Sequence, residues 1–108
     1  MTNIKFFKNK ENIIGFEVKG HTGKAERGKD VLCSAISSVT QNTLVGIVEV
    51  LKLNADFEIK DGYLRVMLKE NDYENEFAQV LFKTCLMSLK EISKNEKKYV
   101  KLEEENEI

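Results

Sequence analysis

The chain has 108 residues, 42% of them apolar and 32% charged, with 17 basic and 18 acidic side chains and a net charge of −1. These values describe one small globular domain spanning residues 1–108 and exclude a disordered chain. A near-neutral charge supplies no bulk attraction to nucleic acid or to an anionic membrane. A core of this size leaves little spare stability, so oligomerisation is expected.

Ile4 and Phe6 alternate with polar residues, the segment Asn9 to Asn12 is turn-like, and Ile14, Phe16 and Val18 alternate again. Residues 3–8 and 12–20 therefore read as a β-hairpin. From Leu32 the period becomes helical, with Leu32, Ile36, Val39, Thr43, Ile47 and Val50 on one face of a helix ending near Leu53. Ala55, Phe57 and Ile59 form a third alternating run, and Leu64, Val66 and Leu68 a fourth. Asp61-Gly62 between them favours a tight hairpin turn. Asn71 and Glu74 resemble a capping box, which starts a second helix at Asn71 or Asp72. Its inner face is expected to carry Phe77, Val80, Leu81, Thr84, Cys85, Ser88 and Ile92. Val100 and Leu102 form a last short strand, followed by an acidic tail from Glu103 to Glu107.

The order is ββαββαβ, an α+β fold. A mainly antiparallel sheet with two helices packed on one face buries the single apolar side of each element. No apolar run approaches the roughly 18 residues of a bilayer span. The opening MTNIKFFKNK lacks the apolar stretch of a signal peptide. A cytoplasmic location with reduced cysteines is therefore expected, without membrane association.

The segment from Gly20 to Ser38 stands out. It holds the only histidine, His21, and one of two cysteines, Cys33, separated by a polar loop containing Gly23 and Gly28. His21 ends a strand, and Cys33 lies in the first turn of a helix whose natural N-cap is Asp30. The positive end of the helix dipole and a nearby imidazolium both favour a thiolate. Each residue also has an ordinary reading: a buried cysteine, a surface histidine and a simple cap. Asp30 is a cap or, alternatively, the group that orients His21. Ser37, one turn beyond Cys33, shares its face. Cys85 belongs to the core. One histidine and two distant cysteines are too few for a tetrahedral zinc site, so no metal is expected.

Gly20, His21, Gly23, Gly28, Asp30, Cys33 and Ser37 together form the pattern GHxGxxxxGxDxxCxxxS. This resembles the ribosomal-processing cysteine protease family, Prp, of bacteria such as the Firmicutes, and the likeness extends over the whole chain in length and element order. The resemblance implies a catalytic dyad of His21 and Cys33, a conserved aspartate at Asp30 and a conserved serine at Ser37. Gly20, Gly23 and Gly28 then shape the site. It implies an endopeptidase that needs no cofactor. Its substrate would be large-subunit ribosomal protein twenty-seven, cut after paired phenylalanines in an N-terminal extension. It also implies a homodimer. The chain departs from the family at Arg27, where members often carry an aromatic residue, and at Ser34, often alanine. The alternative is a non-catalytic homodimeric module that docks on a ribosomal protein or ribosomal subunit. A redox sensor fits less well, because no second cysteine lies nearby in sequence to resolve a sulfenic acid.

Overall fold

Five strands form one sheet in the order β3-β4-β2-β1-β5, in a computed structural model that describes residues 1–26 and 28–107. β1 (Thr2–Asn9) and β2 (Asn12–Lys19) make the expected hairpin, with Ile4 opposite Val18 and Phe6 opposite Phe16. β3 (Asp56–Lys60) and β4 (Tyr63–Met67) make the second hairpin, and β4 pairs antiparallel with β2. α1 (Val31–Val45) carries the chain from β2 to the edge strand β3, and α2 (Glu76–Asn95) leads to β5 (Val100–Asn106) at the opposite edge. β5 runs parallel to β1, the one parallel pair in an otherwise antiparallel sheet.

The inward residues of the sheet and both helices share one core. Phe6 and Phe16 pack with ring centroids 5.5 Å apart, and Phe82 of α2 meets Phe16 edge-on at 6.0 Å. Ile36 and Ile47 from the α1 segment and Ala78, Cys85 and Leu89 from α2 close the cluster. The other sheet face is largely polar, with Lys5 paired to Glu105 and Glu17 accepting from Tyr63 Oη at 3.1 Å.

Four sequence expectations need correction. The acidic run Glu103 to Glu105 is part of β5 rather than a tail. Pairing with β1 orders it, and lysines offset its charge: Glu104 meets Lys90 at 3.0 Å and Lys8 at 3.4 Å. α2 starts one turn later than expected. Its cap is Asn75, which accepts from the Ala78 N–H at 3.0 Å, while Glu70–Asp72 forms a short 3-10 turn.

α2 is also rotated. Phe77 and Val80 are 67% and 63% exposed and Thr84 is exposed too, while Ala78, Gln79, Phe82, Cys85, Leu86 and Leu89 face inward. The helix has apolar residues on more than one face, and a polar contact selects between them. Gln79 Oε1 accepts from the Ile13 N–H at 2.8 Å, and its Nε2 donates to the Ile13 carbonyl at 2.8 Å and to that of Tyr73 at 2.9 Å. The Ile13 groups lie beside the irregularity between Phe7 and Lys8 where the β1–β2 register shifts. A buried amide that satisfies them holds the helix in this rotation.

The long first helix is not α-helical throughout. Gly46–Val50 forms a π-turn, with the Leu51 N–H bonded to the Gly46 carbonyl at 2.9 Å. That wider turn breaks the spacing of three and four, so Val50, expected inside, is 71% exposed. Val31–Val50 has a mean hydropathy of 1.5 and the length to cross a membrane, which a search for uninterrupted apolar runs misses because Ser, Thr, Asn and Gln punctuate it. Ile36, Leu44 and Ile47 in this segment belong to the core of the domain.

Candidate active site

β2 and α1 build the site from their facing ends. Gly20, Gly23 and Gly28 adopt positive φ values of 87°, 76° and 84°, so the loop between the two elements uses backbone conformations that other residues rarely adopt. Arg27 of this loop lies outside the described residues. The loop returns the chain so that Thr22, directly after His21, sits on the first turn of α1.

Asp30 caps α1 as expected, its Oδ1 accepting from the Cys33 N–H at 3.0 Å. Its other oxygen accepts from the Thr22 hydroxyl in a short hydrogen bond. The Thr22 backbone N–H donates to Cys33 Sγ at 3.3 Å, and Sγ lies 3.7 Å from Thr22 Oγ1. Thr22, Asp30 and Cys33 thus form a closed ring of contacts. Thr22 and Asp30 are only 2% and 6% exposed. The Thr22 hydroxyl first and the Cys33 N–H second hold the Asp30 carboxyl down at about 2. The sequence reading did not single out Thr22. Its one signal is a hydroxyl beside the histidine, at a strand end where a polar side chain ordinarily faces solvent.

Among the described residues no hydrogen bond or ion pair joins Asp30 to the imidazole. His21 lies instead against the turn between β3 and β4, its Nε2 3.6 Å from Asp61 Oδ1. That turn is anchored to the end of β2 by the Gly20 N–H, which donates to the Gly62 carbonyl at 2.8 Å. Gly62 has φ +69°, and a Cβ there would lie 3.1 Å from His21 Nε2. The Asp61-Gly62 pair read from the sequence as a hairpin turn is therefore also the wall on which the imidazole rests.

His21, Cys33 and Ser37 line two adjoining depressions. One, of about 260 Å³, runs between α1 and the β3–β4 turn, with Ile36, Ile59 and Leu64 among its walls. The other, of about 430 Å³, lies under the glycine loop and includes Gly23, Gly28, Asp30 and Ser34. The structure therefore places His21 and Cys33 on one cleft. Among the described residues no hydrogen bond joins them, and the sulfur is bonded to Thr22. The second cysteine, Cys85, is buried in the core, and burial pushes its thiol up to about 11. The cleft combines a thiol at a helix start, an imidazole within the same opening and walls that are partly apolar.

Comparison with known proteins gives a consistent result. The sequence model of the family described as cysteine protease Prp matches residues 1–101. The crystal structure of SMU.848 from Streptococcus mutans superimposes with a TM-score of 0.87 at 22% identity, covering 99% of this chain and 96% of that one. The ribosomal processing protease Prp from S. aureus, with a covalently linked product peptide, gives a TM-score of 0.88 at 20% identity, covering 97% of this chain and all of that one. The same S. aureus protease with a substrate peptide gives 0.81 at 20% identity, with the same coverage. No curated protein is similar enough in sequence to count as a relative.

Proposed function

The chain belongs to the Prp family of cysteine proteases, and from that premise we propose that it is a ribosomal-processing endopeptidase with Cys33 as nucleophile and His21 as its acid–base partner. The observation that carries the assignment is that these two side chains line one cleft beside the start of α1. The S. aureus neighbour, a ribosomal processing protease seen with a covalently linked product peptide, supports the substrate class. The substrate in this reading is an N-terminal extension of large-subunit ribosomal protein twenty-seven, cut after paired phenylalanines. The enzyme works in the cytoplasm as a homodimer.

In this mechanism the substrate enters the cleft and Cys33 Sγ turns from Thr22 toward the imidazole. Catalytic hydrogen bonds are commonly loose without substrate and tighten in the complex. His21 takes the thiol proton as Sγ attacks the scissile carbonyl. The C–N bond then breaks, and His21 returns the proton to the leaving amine. Water hydrolyses the thioester: His21 takes its proton, a C–O bond forms, the C–S bond breaks and the thiol regains a proton. Two of the N–H groups at the start of α1 are already engaged, that of Cys33 with the Asp30 carboxylate and that of Ser34 with the Asp30 carbonyl. Asp61 steadies the imidazole.

The test is cleavage of a peptide spanning such an extension, read by mass, with Cys33→Ala as control. One cut after the paired phenylalanines, absent in the control, is the expected result. A control that cuts at the normal rate would overturn the role of Cys33. A peptide left intact by a protein that cleaves other sequences would overturn the substrate.

A further inference from the structure

Thr22 is buried, its backbone N–H and its hydroxyl proton both go to the α1 start, and its hydroxyl oxygen also accepts from the Lys24 N–H at 3.3 Å. The hydroxyl proton goes to the Asp30 carboxylate, so the oxygen that faces Cys33 Sγ at 3.7 Å presents a lone pair rather than a proton. A lone pair stabilises S–H, which donates to it, and repels S⁻. Resting the second inference on the protease reading above, we propose that Thr22 is a positioning residue that keeps the Cys33 thiol hydrogen-bonded to Thr22 rather than to His21 until substrate draws the sulfur away.

The parts of this latch depend on one another. Asp30 remains ionised down to about pH 2 because its oxygens receive the Thr22 hydroxyl and the Cys33 N–H. As long as it is ionised it keeps the hydroxyl proton, and Thr22 cannot donate to the sulfur. A hydrogen bond ending on a charge also polarises the one before it, which makes Oγ1 a better acceptor for S–H. The Thr22 N–H, which points at Sγ at 3.3 Å, stays in place whatever the side chain does. The other titratable groups around the thiol are His21 at the end of β2, and Lys60, Asp61 and Tyr63 from the β3–β4 turn across the cleft.

The latch is tested by alkylating the full-length protein with iodoacetamide from pH 5 to 10, following the Cys33 adduct by mass. Thr22→Val keeps shape and backbone N–H but removes the hydroxyl. It should alkylate faster at pH 7 by about three- to ten-fold, the size of one modest hydrogen bond, with its pH profile moved to lower pH. Thr22→Ser should track the unaltered protein. A Thr22→Val profile that superimposes on the unaltered one overturns the proposal, even if the variant melts earlier. So does a Thr22→Ser variant that behaves like Thr22→Val. If Thr22→Val does not fold, Thr22→Ala also removes the hydroxyl, so faster alkylation is again expected and an unchanged rate is again fatal. Alkylation needs no peptide, so the two readings fail separately. A Cys33→Ala variant that still cuts peptide would sink the protease mechanism. An unchanged Thr22→Val profile with normal cleavage would sink only the latch.

Discussion

His21 and Asp61 meet across the cleft, with Nε2 3.6 Å from Oδ1, and this contact joins the end of one hairpin to the turn of the other. It makes Asp61, rather than Asp30, the carboxylate that faces the imidazole. Both side chains are partly exposed, 43% and 67%, so the pair is screened by water and its contribution is one of orientation more than of binding energy.

Asp61→Asn should therefore lower kcat by about two- to five-fold with KM nearly unchanged, the size of one exposed ion pair. Gly62→Ala should be worse, because it combines a residue at φ +69° with a Cβ 3.1 Å from the imidazole. Steady-state kinetics on the extension peptide checks both. Equal kcat for Asp61→Asn and the unaltered protein would remove Asp61 from the mechanism.

The acid response should trace to Asp30. Its carboxyl is lowered from 3.8 to about 2 in the fold, so the folded state favours the ionised form. That contribution is fully present above about pH 4, near the ordinary carboxyl value, and disappears as pH falls through about 2. Asp30→Asn, which cannot ionise, should lose this part of the acid sensitivity and show a flatter urea midpoint between pH 4 and 2. An unchanged slope in that window would mean that other carboxylates dominate.

Thiol labelling should separate the two cysteines. Cys33 is partly exposed on the cleft, whereas Cys85 is 2% exposed with its thiol pushed up to about 11. Iodoacetamide on the native protein at pH 7.5 should give one adduct, at Cys33. Denatured protein should give two. Rapid labelling of Cys85 in the native state would show that the core opens on the timescale of the reaction.

The rotation of α2 is also open to measurement. Phe82 is fully buried against Phe16, and Phe82→Ala should cost about 3–5 kcal/mol. Phe77 is 67% exposed, and Phe77→Ala should fall within about 0.5 kcal/mol of the unaltered protein. Gln79→Leu leaves the Ile13 N–H and carbonyl without their amide partner, at about 1–3 kcal/mol for each unsatisfied group. Urea denaturation of the three variants gives the order directly. Equal losses for Phe77→Ala and Phe82→Ala would contradict this packing.

By itself the sequence determined the element order, both hairpins, the Asp30 cap and the core position of Cys85, because each rests on neighbours a few residues apart. The same holds for the grouping of His21, Gly23, Gly28, Asp30, Cys33 and Ser37, which lie in one short window. The tertiary structure alone decided three other things. α2 carries apolar residues on more than one face, and only the bonds of Gln79 to Ile13, 66 positions away, choose which face turns inward. The charges of Glu103 to Glu105 look like a solvated tail until β1 pairs with them and lysines from β1 and α2 offset them. The partners of His21 and Cys33 come from elsewhere in the fold: Asp61 reaches His21 from 40 positions further along the chain, and Thr22 reaches Cys33 because the glycine loop turns back. Periodicity and capping report local energetics. Which carboxylate faces the imidazole depends on the pairing of β4 with β2, and no local signal carries that information.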